Sequence, residues 1–327
     1  PAFKATLLVT ACNVHWMAAD LQGLAHAASQ CIEQSQGAES PEIGNYGHYH
    51  LGCARYQHND LPAAGRHFST VWKQPYLSYG DCFLYCACGL ALTHQAQGRA
   101  QKARAAAQSA VDFMLETGNT TLLPQAQAFL AELALRQGRI ATAGQWAAQL
   151  DPVPPLAPVY GIFSPHLTLV KVWLAQNTPA SQEQAAELLG RLQAFFASIH
   201  NRRFLIETLA RQALLRSTEG DGPAALSALQ RAITLAEPGG FIRLFVDLGP
   251  SMARLLDQMR DQAVAPLYIA RILAAFETRD APLAAEGGRA GRVQNESLVD
   301  PLTPREVEVL ALLARHLTNR QIAEELI

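Results

Sequence analysis

The chain has 327 residues, 49% of them hydrophobic and 17% charged, with a formal net charge of -2. That much apolar material excludes wholesale disorder and suffices for one large core or two ordinary ones. The near-neutral balance excludes a general attraction to phosphate backbones or anionic membranes, so any nucleic-acid contact has to be local.

From residue 1 to 275 the apolar residues recur at helical rather than alternating spacing, with abundant alanine, which makes the expected fold all-α. Residues 1 to 34 read as a first, irregular helix pair broken near Ala19 and Asp20. Three later segments fall into one frame: Leu51-Gly52, Leu90-Ala91 and Leu130-Ala131 each precede an alanine (Ala64, Ala103, Ala143) by 13 residues. The period is about 40 residues, the length of a helix pair in a repeat protein. Phe68, Ala107 and Ala147 follow four residues after the alanine, and Asn59, Gly98 and Gly138 fall at the turn. A turn of that kind wants a residue tolerant of positive φ.

A loop containing Pro152, Pro154, Pro155 and Pro158 cannot continue a helix. It leads into a fourth pair at 162–176 and 182–199, and Gly220, Asp221 and Gly222 turn a fifth pair at 202–217 and 222–236. Stacked pairs bury what one pair leaves exposed. The frame resembles the tetratricopeptide repeat, matched best by Leu51, Gly52, Ala64 and Phe68, and the resemblance implies a superhelix of antiparallel helix pairs.

Next comes AEPGGFIRLFVDLGPSMARLL, residues 236–256. Pro238, Gly239 and Gly240 end one helix, and Phe241, Leu244, Phe245 and Leu248 form the apolar stripe of another. Arg243 and Asp247, four apart, can pair along its surface. The stretch resembles the end of the sensor domain in large LuxR-type regulators related to the maltose regulator. Residues 276–300 then lose periodicity and gain glycine, as a linker does.

After it, Thr303, Pro304 and Glu306 form a capping signature, and Thr318 or Asn319 starts a second helix. Val309, Leu310, Leu313, Ile322, Ala323 and Leu326 hold the two together. Residues 301–327 resemble the opening of the LuxR-type helix-turn-helix. The expected organisation is therefore a repeat domain at 1–275, a linker at 276–300 and an incomplete helix-turn-helix at 301–327, which lacks the helix that enters the major groove. Its three arginines face four glutamates, so the chain itself should bind DNA weakly or not at all, while the intact protein binds it. Thr318, Asn319 and Arg320 are the candidate phosphate contacts. Together with the start on Pro1, this reads as a piece of a longer regulator, and the resemblance implies a preceding ATP-binding domain. No phosphate-loop motif occurs here, so no cofactor is assigned to this chain.

If the first helix of each pair lines the concave face, as the tetratricopeptide resemblance implies, Tyr46, Tyr49, Cys53, Tyr56 and Tyr85 lie on it, with Glu132 and Arg136 further along. Phenols on an apolar wall suit a small organic inducer or a regulatory protein. Cys82, Cys86 and Cys88 occupy a helix without a second CxxC and read as buried thiols, so no metal is expected. No nucleophile elbow or H-E-x-x-H appears, which argues against an enzyme. No apolar run reaches the roughly 18 residues of a membrane helix, and no signal peptide is visible, so a cytoplasmic protein is expected. Homo-oligomerisation is left open. The competing reading is a tetratricopeptide-type interaction scaffold with no DNA-binding role of its own.

Overall fold

The asparagine and glycines at the frame's turns all take positive φ: Asn59 at 65°, Gly98 at 74° and Gly138 at 76°. At each turn that residue's amide returns to the carbonyl three positions back and the next amide reaches five back, as Asn59 to Tyr56 and Asp60 to Arg55. Ending carbonyls that would otherwise lack partners are thereby satisfied. The next residue starts the return helix. Asp60 accepts from the Ala63 amide at 3.1 Å, and Asp20, Asn201 and Asp221 cap in the same way.

The computed structural model describes residues 2–36, 41–153, 160–260 and 264–280. Among these it has fifteen α-helices and no strand. Six antiparallel pairs follow one another: α1 (Ala2–Met17) with α2 (Leu21–Ser35), α3 (Pro41–Gln57) with α4 (Leu61–Trp72), α5 (Gly80–Ala96) with α6 (Ala100–Glu116), α7 (Leu123–Arg136) with α8 (Ile140–Ala147), α9 (Pro165–Gln176) with α10 (Pro179–Ser198), and α11 (Arg202–Thr218) with α12 (Gly222–Ala236). Three terminal helices complete the fold: α13 (Arg243–Val246), α14 (Pro250–Met259) and α15 (Pro266–Asp280). Pro154, Pro155 and Pro158 of the expected loop lie outside the described residues, as do 281–327, including Thr318, Asn319 and Arg320.

Phe68 explains the small residues of the frame. Its fully buried ring lies against Gly52 on α3 and Gly89 on α5, where an added Cβ would come within 2.5 and 2.4 Å of ring carbons. One large side chain thus fills the space that two glycines open between neighbouring pairs.

The first helices of the pairs form the inner layer, α1 against α3, α3 against α5, α5 against α7 and α7 against α9. The superhelix winds far enough for α1 to meet α11. There the Arg203 guanidinium stands 5.2 Å from the ring of the fully buried Trp16, a desolvated cation–π contact.

The terminal segment departs from the expected single amphipathic helix. After the turn at Gly240 (φ 70°) it makes one helical turn, α13, breaks at Gly249 (φ 79°) and restarts as α14. Long-range bonds fix it: the Ile242 amide donates to the Gln57 carbonyl and the Leu244 amide to Gln57 Oε1. Arg243 and Asp247 do pair, Nε to Oδ1 at 2.6 Å, but not on the surface, for their side chains are 4% and 9% exposed. The segment lies over α3, so both faces of α13 are covered. The helix α15 also runs past residue 275 into the expected linker, because Tyr268, Ile269, Ile272 and Phe276 are buried in the main core.

Candidate sensor site

The inner helices carry two open pockets with a plug of protein between them. The first, of about 530 Å³, lies among α1, α3, α5, the start of α7 and residues 160–166. Its walls are aromatic. Tyr49 and Tyr85 stack at 5.8 Å with 29° between their planes. Each phenol is held: Tyr46 donates to Asp81 at 2.9 Å, Tyr49 to the Tyr160 carbonyl at 3.1 Å and Tyr85 to Gln125 at 2.9 Å. Burial pushes all three phenols above their ordinary range, so they act as protonated donors at neutral pH. His166 joins the lining with an Nδ1 that has no partner among the described residues.

The second pocket, of about 720 Å³, opens between α7, α9, α11 and α14. At its base lies an ion network in which three carboxylates tie together five helices, α3, α7, α9, α11 and α13. Glu132 on α7 accepts from Arg136 Nε at 2.7 Å, Lys171 Nζ at 2.8 Å and Thr168 Oγ1 at 2.9 Å. Glu207 on α11 accepts from Arg203 at 2.9 Å and Arg211 at 3.0 Å and faces Lys171 at 3.2 Å. Asp247 accepts from Arg243, from Arg136 at 2.9 Å and from the Tyr56 phenol at 2.6 Å.

Burial alone would raise these acids, but the cations overcome it. Lys171 and Arg136 hold Glu132 at about 2, and Arg243 and Arg136 hold Asp247 at about 2. Lys171, Arg203 and Arg211 keep Glu207 well below the carboxylate range. Burial pulls Lys171 down, with Glu132 and Glu207 working against that.

The family model of the MalT-like TPR region matches residues 4–262. The chain belongs to the MalT-like TPR family. A second match, to bacterial regulatory proteins of the luxR family, covers residues 300–327. No curated protein matches the chain. The two matches make it part of a LuxR-type regulator that joins a MalT-like TPR region to a DNA-binding module. Both families are regulatory rather than enzymatic.

Within this MalT-like TPR region the seven expected groove residues do not share one groove. Tyr46, Tyr49 and Tyr85 meet in the aromatic pocket, and Glu132 and Arg136 line the charged one. Cys53 is fully buried, and Tyr56, 2% exposed, spends its hydroxyl on Asp247. Neither faces an open groove: Cys53 is enclosed in the core, and Asp247 and Arg243 of the terminal segment cover Tyr56. Sequence reasoning missed Lys171, Arg203, Glu207 and Arg211. A signal was present: in α11 the charged residues Arg203, Glu207 and Arg211 recur every fourth position, which is one helix face.

Proposed function

We propose that the chain is the signal-sensing region of a cytoplasmic LuxR-type transcription regulator, in which a small-molecule inducer bound in the aromatic pocket sets DNA binding by the helix-turn-helix module. The observation that carries this is the pocket formed by Tyr46 and Tyr49 on α3 and Tyr85 on α5, two successive inner helices. Its size is that of a small organic ligand, and it combines stacked apolar walls with a few fixed hydrogen-bonding groups. An extended partner peptide is a poorer fit, since residues 160–163 and 241–247 fill the inner face between the pockets and interrupt any continuous groove.

A contiguous route leads from the pocket towards the C-terminus. Residues 160–163 border the pocket, and the Ile162 carbonyl accepts from Arg203. Arg203 pairs with Glu207, and the network runs through Lys171, Glu132 and Arg136 to Asp247 on the terminal segment. An inducer that shifts residues 160–163 would bias how firmly that segment is held. In the module, Thr318, Asn319 and Arg320 would contact DNA phosphates from a helix N-terminus.

The thermal midpoint of the chain, measured against a metabolite panel, tests the reading, because a ligand bound only by the folded state raises it. A compound should raise it, and Tyr46→Ala or Tyr85→Phe should abolish the rise. A panel without any effect, or an effect indifferent to both substitutions, sinks the aromatic-pocket reading.

A further inference from the structure

The network at the base of the charged cleft serves the reading above only as a relay, and its charges do not balance. Five cations, Arg136, Lys171, Arg203, Arg211 and Arg243, face three carboxylates, Glu132, Glu207 and Asp247. Two positive charges are in excess in a place largely removed from water, where an unmatched charge is costly. Arg254 on α14 adds a third cation at the mouth.

Arg211 locates the deficit. One of its terminal nitrogens pairs with Glu207, but its Nε, on a residue 9% exposed that lines the cleft, has no acceptor. Buried guanidinium N–H groups are ordinarily satisfied. The neighbouring Arg203 Nε is also without a partner. What the cleft lacks is an acceptor bearing negative charge. Leu135, Leu174, Leu214 and Leu255 supply an apolar wall beside the cations.

We propose that this cleft is a second ligand site, which takes a small metabolite with one oxyanionic head, a carboxylate or a phosphate ester, set among Arg136, Lys171 and Arg211, and a short hydrocarbon body against the leucines. Charge-assisted and bidentate pairs of arginine with such oxyanions are the strong ones. Arg136 already holds Asp247, so an incoming oxyanion competes for the guanidinium that anchors the terminal segment. The site is therefore placed to loosen or re-set that segment, independently of whether an inducer occupies the aromatic pocket.

The test uses the full chain, with hexanoate and butyl phosphate as probes, hexanol and butanol as neutral counterparts, and sodium chloride to fix ionic strength. Calorimetric titration and the thermal midpoint should both show saturable binding of at least one oxyanion and none of the alcohols. Hexanoate against butyl phosphate distinguishes a carboxylate site from a phosphate site. Arg211→Gln should weaken binding by about tenfold, the equivalent of one charged hydrogen bond. Arg254→Glu, an exposed position that leaves the network intact, should weaken it several-fold, and this variant decides the matter if Arg211→Gln does not fold. Tyr46→Ala should leave oxyanion binding unchanged, which separates this site from the aromatic pocket. Oxyanions that act no better than the alcohols, or that bind Arg254→Glu and folded Arg211→Gln as tightly as the parent chain, overturn the proposal.

Discussion

Tyr56 on α3 donates its phenol proton to Asp247, 2.6 Å away and 191 positions later in the chain. Arg136 on α7 reaches the same carboxylate oxygen at 2.9 Å, and Arg243 takes the other. One side chain on the terminal segment is thus gripped by two inner helices and by its own helical turn. The grip fixes Asp247, and with it the terminal segment, to the repeats.

Removing that carboxylate leaves Arg243, almost fully buried, without its ion-pair partner and takes from Arg136 one of its two carboxylates. Asp247→Ala should cost about 3–5 kcal/mol, the range for breaking a buried pair from one side. Tyr56→Phe removes one hydrogen bond while both arginines stay paired, and should cost roughly 1–3 kcal/mol. Urea unfolding of the two variants checks the order. A smaller loss for Asp247→Ala than for Tyr56→Phe would mean that the arginines find water or another acceptor.

The pairing of Arg243 with Asp247 was legible in the sequence from their spacing, but its burial was not. The same holds elsewhere. Turn chemistry at Asn59, Gly98 and Gly138 and the caps at Asp20 and Asp221 are local signals, and helix limits follow from them. That Gln57 and Tyr56 would receive residues 242–247 depends on where the superhelix brings its end, and no periodicity within α3 or α13 encodes it. For that reason one expected groove became two pockets and a plug.

Two sets of groups make stability depend on pH, in windows that start at different pH and overlap below about 4. His50 is fully buried beside the Tyr49 ring, with neither nitrogen bonded, and burial lowers it to about 3. His67, next to His48 at 3.1 Å, is lowered to about 4, chiefly by burial. A depressed folded value means that the unfolded chain binds the proton more readily, so stability is full above the ordinary histidine value, near 6.5, and falls as pH drops below it. Each proton contributes a slope of about 1.4 kcal/mol per pH unit at most. Glu132 and Asp247, held at about 2, add a second loss that begins near the ordinary carboxylate value of about 4. His50→Phe should flatten the upper window and Asp247→Asn the lower one, measured as unfolding free energy from pH 7 downward. An unchanged slope between pH 6.5 and 5 in His50→Phe would show that the buried imidazole is not its source.

The Phe68 ring wedged between Gly52 and Gly89 predicts that either glycine resists the smallest enlargement. Gly52→Ala and Gly89→Ala each ordinarily gain helix propensity of up to about 1 kcal/mol. Here the new methyl meets a ring that is enclosed on every side, and overpacking of about 1–3 kcal/mol should outweigh the gain. Phe68→Leu should be destabilising alone, by roughly 1–3 kcal/mol of lost packing, yet less so in the presence of Gly52→Ala, which refills part of the space. Thermal unfolding of the double mutant cycle reads the coupling. Strict additivity would mean that the ring and the glycine do not share the space.

The six cysteines make the burial of the inner and outer layers separately measurable, since all six are free and buried. Cys82, Cys86 and Cys88 lie on α5 in the middle of the stack, and burial pushes Cys86 and Cys88 well above the ordinary thiol value. Cys12 and Cys31 face one another at 3.9 Å between α1 and α2, the first pair of the superhelix. Thiolate is the reacting species, so Cys86 and Cys88 are slow on both counts, and all six are slow because they are enclosed. With a soluble disulfide reagent the native chain should label slowly at every site. In urea below the midpoint, Cys12 and Cys31 should label before the three on α5, because the first pair, although α1 also touches α11, meets a neighbouring pair mainly through α3 and opens at lower free energy than an interior one. Peptide mapping by mass spectrometry gives the order. Labelling of Cys88 ahead of Cys12 would show that the stack opens at its centre, and would place the weak point of the superhelix beside the aromatic pocket instead of at its first turn.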